Sequence, residues 1–327
     1  MGRIGLGFVG DYNCRDIIRY TRIAEENGYE SVWVSEDLGF RDSIAPLACL
    51  AVSTERIRLA TGIVPIYHRP PALMAMTIAT LDEVSRGRMI LGLGSGVRSY
   101  VEKQGIQFRQ PLTTLEEYVS IIRRMLAGES LNYRSHLYNL SDAKLSFKPM
   151  RQEIPIYIAA RGPKMFQLAG KIADGALMSD GFCSPNYIRW ALRNMRIGAE
   201  KAGGSSGDID LASFMLLSVS EDCDQAKENV KPHVISLLAG GALDSHLHTM
   251  DLSTDELDPT REAWLSGDRK EACVRVPDTL MDACAVYGTP EQCAYKMKEL
   301  RSAGIGLPVI VPVGSDFEET IEAAKRW

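Results

Sequence analysis

Three acid–base groups stand where apolar runs give way to polar ones. Glu36 and Asp37 directly follow Ser31-Val32-Trp33-Val34, and His68 opens the stretch His68-Arg69-Pro70-Pro71. Adjacent carboxylates at the mouth of a water-poor site push each other's pKa values apart, so that one can donate a proton while the other accepts a hydrogen bond. A loop cap at Asp37 and a plain loop histidine at His68 are the competing assignments. A second kind of signal is glycine. In Gly92-Leu93-Gly94-Ser95-Gly96 the missing side chains either let backbone N–H groups approach a ligand or turn a tight corner. The run is no dinucleotide fingerprint, because that pattern follows the first strand and precedes an acid about 20 residues on. A third run, Ile158-Ala159-Ala160-Arg161-Gly162-Pro163-Lys164-Met165, leads into a helix starting near Pro163. Free N–H groups at a helix start, beside Arg161 and Lys164, make an anion or phosphate site.

These groups need a scaffold, and the pattern of apolar runs supplies one. Short β-branched stretches at 4–9, 31–34, 57–64, 89–93, 155–159, 175–178, 210–218 and 307–313 alternate with longer amphipathic ones. That is the pattern of repeated βα units around a parallel sheet. Eight strands predict an α/β fold of the closed (β/α)8 TIM-barrel type, in one domain over residues 1–327. A hairpin-like excursion over 131–140 stands outside the repeat. A polar, acidic insertion near 240–276, containing Asp251-Leu252-Ser253-Thr254-Asp255-Glu256-Leu257-Asp258, reads either as a lid or interface element or as a solvated helical excursion. In a barrel, two small-residue loops at the C-terminal ends of consecutive strands point to a flat phosphorylated cofactor across the mouth.

Composition removes several function classes. With 37 basic against 42 acidic residues the net charge is −5, and basic residues run no further than pairs such as Arg123-Arg124. A positive stripe for phosphate backbones or anionic membranes is missing, so no nucleic-acid or membrane partner is expected. Apolar stretches stop short of the ~18 residues a membrane span needs, and the first residues read as a strand rather than a signal peptide. Seven cysteines, scattered and without a C-x-x-C pair, read as reduced thiols of a cytoplasmic protein. His246 and His248 form an H-x-H pair with no acid or cysteine at metal spacing, so no metal is expected. There is no P-loop or H-E-x-x-H.

Several segments together resemble one family. Val34-Ser35-Glu36-Asp37, Thr61-Gly62-Ile63-Val64, the stretch from Ile78-Ala79-Thr80-Leu81-Asp82 to Arg88, Leu91-Gly92-Leu93-Gly94-Ser95-Gly96 and Ala169-Gly170-Lys171-Ile172-Ala173-Asp174-Gly175 are similar to the bacterial-luciferase-like superfamily. The likeness is greatest to its branch using the deazaflavin coenzyme F420, the methylenetetrahydromethanopterin reductases above all. It implies a non-prolyl cis peptide at Gly62-Ile63 behind the cofactor ring. It implies Glu36, Ser95, Gly96 and Val97 beside the ring, and Ala159, Ala160, Arg161, Gly162 and Ser179 on the phosphate side. A homodimer or higher oligomer acting on a small-molecule substrate is implied as well.

The departures from that branch concern the substrate. Gly7 stands where the reductases have a glutamate, Val97 where they have an acid, and Glu36-Asp37 where an Asp-His pair is usual. The implied chemistry is hydride transfer between deazaflavin C5 and an electrophilic carbon, of a C1-pterin or another imine-type substrate. Glu36 or Asp37 would stabilise a cation or relay a proton, assisted by His68 or Tyr100. An FMN-dependent monooxygenase and a flavin-binding barrel without catalysis are the alternatives.

Overall fold

Eight short apolar strands pair edge to edge, all in parallel, and close on themselves. The computed structural model describes residues 2–10, 12–179, 181–203, 209–250, 252–314, 317–325 and 327. Its strands are β1 (Gly5–Phe8), β2 (Ser31–Val34), β3 (Arg58–Thr61), β4 (Val64–Pro65), β5 (Met89–Gly94), β6 (Leu131–Arg134), β7 (Asn139–Ala143), β8 (Ile156–Ala160), β9 (Gly175–Met178), β10 (Asp210–Val219), β11 (Ala285–Gly288) and β12 (Leu307–Pro312). The order β1-β2-β3-β5-β8-β9-β10-β12 returns to β1, which is the closed barrel that the alternation predicts. Strands β6 and β7 form the separate antiparallel hairpin expected at 131–140.

Two strands differ from those expected. The run over 57–64 is split into β3 and β4, with the cis peptide Gly62-Ile63 between them. Strand β11 was not anticipated: it pairs with the outer half of β10, Leu216 to Val219, beyond the reach of β9.

The helices are set by their first residues. Pro71, Pro111, Pro163, Pro185 and Pro290 each begin a helix, where a missing N–H costs nothing and the fixed φ is already helical. Asn13 caps Cys14–Glu26 by accepting from Asp16 N, and Ile17, Thr21 and Ala24 turn inward.

The N-terminal end of the barrel is plugged by charge. Arg3 reaches Glu30 at 2.7 Å and Asp210 at 2.7 Å, and Tyr157 OH donates to Asp210 at 2.8 Å. Above this plug large rings lie over small residues: a side chain on Gly175 would strike the Tyr157 ring.

The acidic insertion is helical. Helices Thr254–Leu265, Arg269–Arg275 and Asp278–Cys284 follow a 3-10 turn at Asp244–Thr249 and pack onto Cys223–Ala239. A capping box between Ser253 and Glu256 starts the first of them, Pro259 sits within it, and Gly267 ends it. Asp251 and the side chains of His246 and His248 lie outside the described residues. All seven cysteines are free thiols, and no described helix is long and apolar enough to cross a membrane.

Candidate active site

The loops that leave the C-terminal ends of the barrel strands surround a cavity of about 420 Å3, well within the range of small-molecule sites. Glu36, Asp37, Gly62, Ile63, Ser95, Gly96, Val97, Ala159, Ala160, Arg161, Gly162 and Ser179 all line it. His68 does not. It stands behind Glu36, with Nδ1 3.0 Å from Glu36 Oε1 and Nε2 2.9 Å from Gln104 Nε2. With the Gln104 amide donating to Nε2, the ring proton sits on Nδ1 and is given to Glu36. Tyr100 and Lys164 are likewise outside the lining, although the Tyr100 carbonyl accepts from Gln104 at 3.1 Å.

Glu36 is the most constrained group of the site. Arg69 Nη1 donates to its Oε1 at 2.6 Å, while Ser43 offers both its N–H, at 3.2 Å, and its hydroxyl, at 2.9 Å, to Oε2. Burial alone would raise this carboxyl. The hydrogen bonds from His68 and Arg69, the Arg69 charge and the Ser43 N–H outweigh it and hold the group down at about 2. Glu36 is therefore an anion at neutral pH with both oxygens engaged, suited to orienting its neighbours and ill suited to carrying protons. Arg69 is held in turn by Asp42, and its carbonyl accepts from Tyr118 OH at 2.9 Å. Asp37, the residue after Glu36, lines the same cavity wall.

The glycine run divides into two parts with different reasons. Gly92 and Gly94 belong to β5 and are small because the neighbouring strand presses on them. A Cβ on Gly92 would fall 2.0 Å from the Thr61 carbonyl, and one on Gly94 would fall 3.0 Å from both Ile63 Cδ1 and Ala159 Cβ. Only Ser95 and Gly96, the latter at φ +68°, turn out to the cavity.

The opposite wall fits an anion. Helix Pro163–Ile172 starts at Gly162 without a side-chain cap, and a Cβ on Gly162 would meet open space. Unclaimed N–H groups at that helix start favour negative charge. Arg161 stands beside it, its Nε donating to Ser179 Oγ at 2.9 Å, so strands β8 and β9 present one joint surface. A flat ring with a phosphate tail thus has a place: an apolar, glycine-edged slot at Gly62-Ile63 and Ser95-Gly96-Val97, and a donor-rich end at 159–162 and Ser179.

Sequence reasoning missed Val9, Ser35, Arg98, Met165, Leu177 and Phe214 among the lining residues. Val9, Ser35, Arg98 and Met165 directly adjoin or nearly adjoin residues that were singled out. Leu177 and Phe214 sit inside largely apolar strand runs, where little in the sequence tells a cavity-facing residue from a helix-facing one.

A model of the luciferase-like monooxygenase family matches residues 5–306, and relatives agree over nearly the whole length. The chain belongs to that family. A 5,10-methylenetetrahydromethanopterin reductase of Archaeoglobus fulgidus is 33% identical over 325 residues, covering 98% of this chain and 96% of the relative. The structure of the coenzyme F420-dependent tetrahydromethanopterin reductase from Methanopyrus kandleri superposes with a TM-score of 0.91 at 28% identity, covering 99% of this chain and 97% of that one. An F420-dependent secondary alcohol dehydrogenase in complex with an F420-acetone adduct shares the fold, at a TM-score of 0.81 and 20% identity, over 99% of this chain and 98% of that one.

Proposed function

We propose that this protein is a coenzyme F420-dependent oxidoreductase that moves a hydride between deazaflavin C5 and an electrophilic carbon. The carrying observation is convergence: Gly62-Ile63, Ser95-Gly96-Val97, Ala159-Ala160-Arg161-Gly162 and Ser179, far apart in sequence, line one cavity. A methylenetetrahydromethanopterin reductase at 33% identity over 98% of the chain, and a coenzyme F420-dependent tetrahydromethanopterin reductase structure at 28% identity, favour the deazaflavin over FMN. When bound, the cofactor supplies or takes up two electrons and one proton as hydride at C5. The protein's part is placement and electrostatics. The helix start at Gly162, with Arg161 and Ser179, holds the phosphate side. Gly62-Ile63 and Ser95-Gly96-Val97 flank the ring. Glu36, ionised and fixed by Arg69, Ser43 and His68, orients the ring end, and Asp37 stabilises a cationic substrate carbon or holds its proton. If Glu36→Gln and Asp37→Asn both left turnover unchanged, that division of labour would be wrong.

The substrate class we propose is a methylenetetrahydromethanopterin-like C1-pterin or another imine-type compound, acted on in the cytoplasm by a homo-oligomer. Exposed Val52 on helix Ile44–Ser53 and Leu73, Met76 and Val84 on helix Pro71–Val84, which pack together, supply an apolar face for a second copy. The test of the cofactor is titration of cofactor-free protein with F420 and, separately, with FMN, followed by fluorescence quenching. Tight F420 and weak FMN binding is expected. The reverse preference makes the protein an FMN-dependent monooxygenase, and F420 binding without turnover on any imine makes it a binding protein.

A further inference from the structure

Gly7 on β1 and Gly62 after β3 share one neighbour inside the barrel. A Cβ on Gly7 would lie 2.7 Å from Cδ1 and Cε1 of Phe214 on β10 and 3.0 Å from Val311, and a Cβ on Gly62 would lie 2.8 Å from Phe214 Cζ. The Phe214 ring therefore occupies the volume that side chains at 7 and 62 would need, and it is also part of the cavity wall. The aliphatic side chains of Leu177, Ile63 and Val9 line the same cavity, whose cationic members Arg98 and Arg161 lie beyond the ends of β5 and β8. Thr61, one residue before Gly62, has its hydroxyl committed to Gly92 in both senses, donating to the carbonyl and accepting from the N–H at 2.8 Å each.

We propose that Phe214 is the specificity-determining residue at the inner end of this cavity, closing it to carboxylates and leaving it to flat groups that are uncharged or cationic. The proposal rests on the reading that the cavity binds a cofactor together with a substrate. An anion placed against the ring would be desolvated on that side, where the ring itself offers no hydrogen-bond donor. A neutral flat group loses nothing there, and a cation is attracted by the face of the aromatic ring. The same ring excludes a protein carboxylate from position 7, so no acid on β1 can serve a bound substrate. Charge at the reacting carbon is then met from the mouth, where Glu36 and Asp37 line the cavity.

Three probes of equal size and shape separate charge from fit: benzamide, benzamidinium and benzoate, titrated by ligand-observed NMR into the protein saturated with F420. Benzoate is expected to bind the wild type at least about tenfold more weakly than benzamide. In Phe214→Ala that discrimination is lost, and in Gly7→Glu/Phe214→Ala benzamidinium gains about tenfold over benzamide. Equal affinity of benzoate and benzamide for the wild type, no benzamide binding at all, or discrimination that survives Phe214→Ala overturns the proposal.

A stability cycle keeps the question open to decision if Phe214→Ala does not fold. Gly7→Ala should lower the melting temperature in the wild type and much less in Phe214→Leu. An equal drop in both backgrounds overturns the assignment of that space to the ring. Wild type that takes up no F420 overturns the cofactor reading instead; the three probes and the cycle are then run on the cofactor-free protein and decide the proposal on the same criteria.

Discussion

Arg69 Nη1 and Glu36 Oε1 lie 2.6 Å apart in a pair whose side chains are only 17% and 8% exposed. The pair turns a carboxylate of the cavity wall into a fixed charge. At neutral pH that anion shapes the field of the site.

Replacing Glu36 by Gln leaves Arg69 half-partnered, held by Asp42 alone. Breaking a buried pair costs about 3–5 kcal/mol, and the surviving contact places this case near about 3 kcal/mol. The folded-state carboxyl is held at about 2 against 4.5 for a free one, so its stabilising contribution is complete above about pH 5 and is lost as pH falls toward 2. Urea unfolding at pH 6 and pH 3 should show a steeper acid loss for the wild type than for Glu36→Gln. A rate profile should show no limb from Glu36 between about pH 5 and 9.

Two glycines make opposite predictions. Gly92→Ala drives a methyl onto the Thr61 carbonyl, backbone against backbone, and should prevent folding or cost more than about 4 kcal/mol. Gly162→Ala meets open space at φ −97°, so stability should change by less than about 0.5 kcal/mol. Because its methyl occupies the approach to the helix start, F420 affinity should still fall about tenfold. Thermal melts and fluorescence titration of the two variants separate packing from binding.

Asp82 is fully buried and receives Arg151 through Nε at 3.0 Å and through Nη2, together with the Met89 N–H at 3.2 Å. Asp82→Asn removes the charge and one acceptor while the guanidinium stays. A loss of about 3–5 kcal/mol is expected, measured by denaturant unfolding, with F420 affinity unchanged under conditions where the variant is folded.

Arg161→Ala removes the cation beside the uncapped helix start. Cofactor affinity should drop about tenfold at low salt, and the dependence of affinity on ionic strength should become shallower than in the wild type. A salt series in the quenching titration reads both quantities.

The barrel was legible because apolar strand runs alternate with amphipathic ones and many of the helices begin at a proline or a capping side chain. Those are local rules, and the chain obeys them from Gly5 to Pro312. Much of the cavity lining was legible because glycines and small polar residues after strands stand out against apolar runs. What escaped was decided across the barrel. Phe214 looks like any core residue until the glycines at 7 and 62 are placed opposite it, and Gly92 resembles a ligand loop until the Thr61 carbonyl is brought against it. His68 was read as a group acting on the ligand, but the carboxylate it supports stands between it and the cavity. Strand β11 pairs only with the outer end of a long neighbour, a relationship no local pattern encodes.

Barrel closure joins β1 to β12, Gly5 to Val309 and Leu6 to Ile310, across almost the entire chain. At about 5–20 residues per second, ribosomal synthesis takes roughly 15–60 s to deliver that last partner. Through this interval the first strand has one edge bare, a template to which neighbouring nascent chains could add. Its four residues, two of them glycine, make it a short and poor template. The small residues at the start of the chain thus guard the polypeptide while it is being made, before there is any cavity to shape.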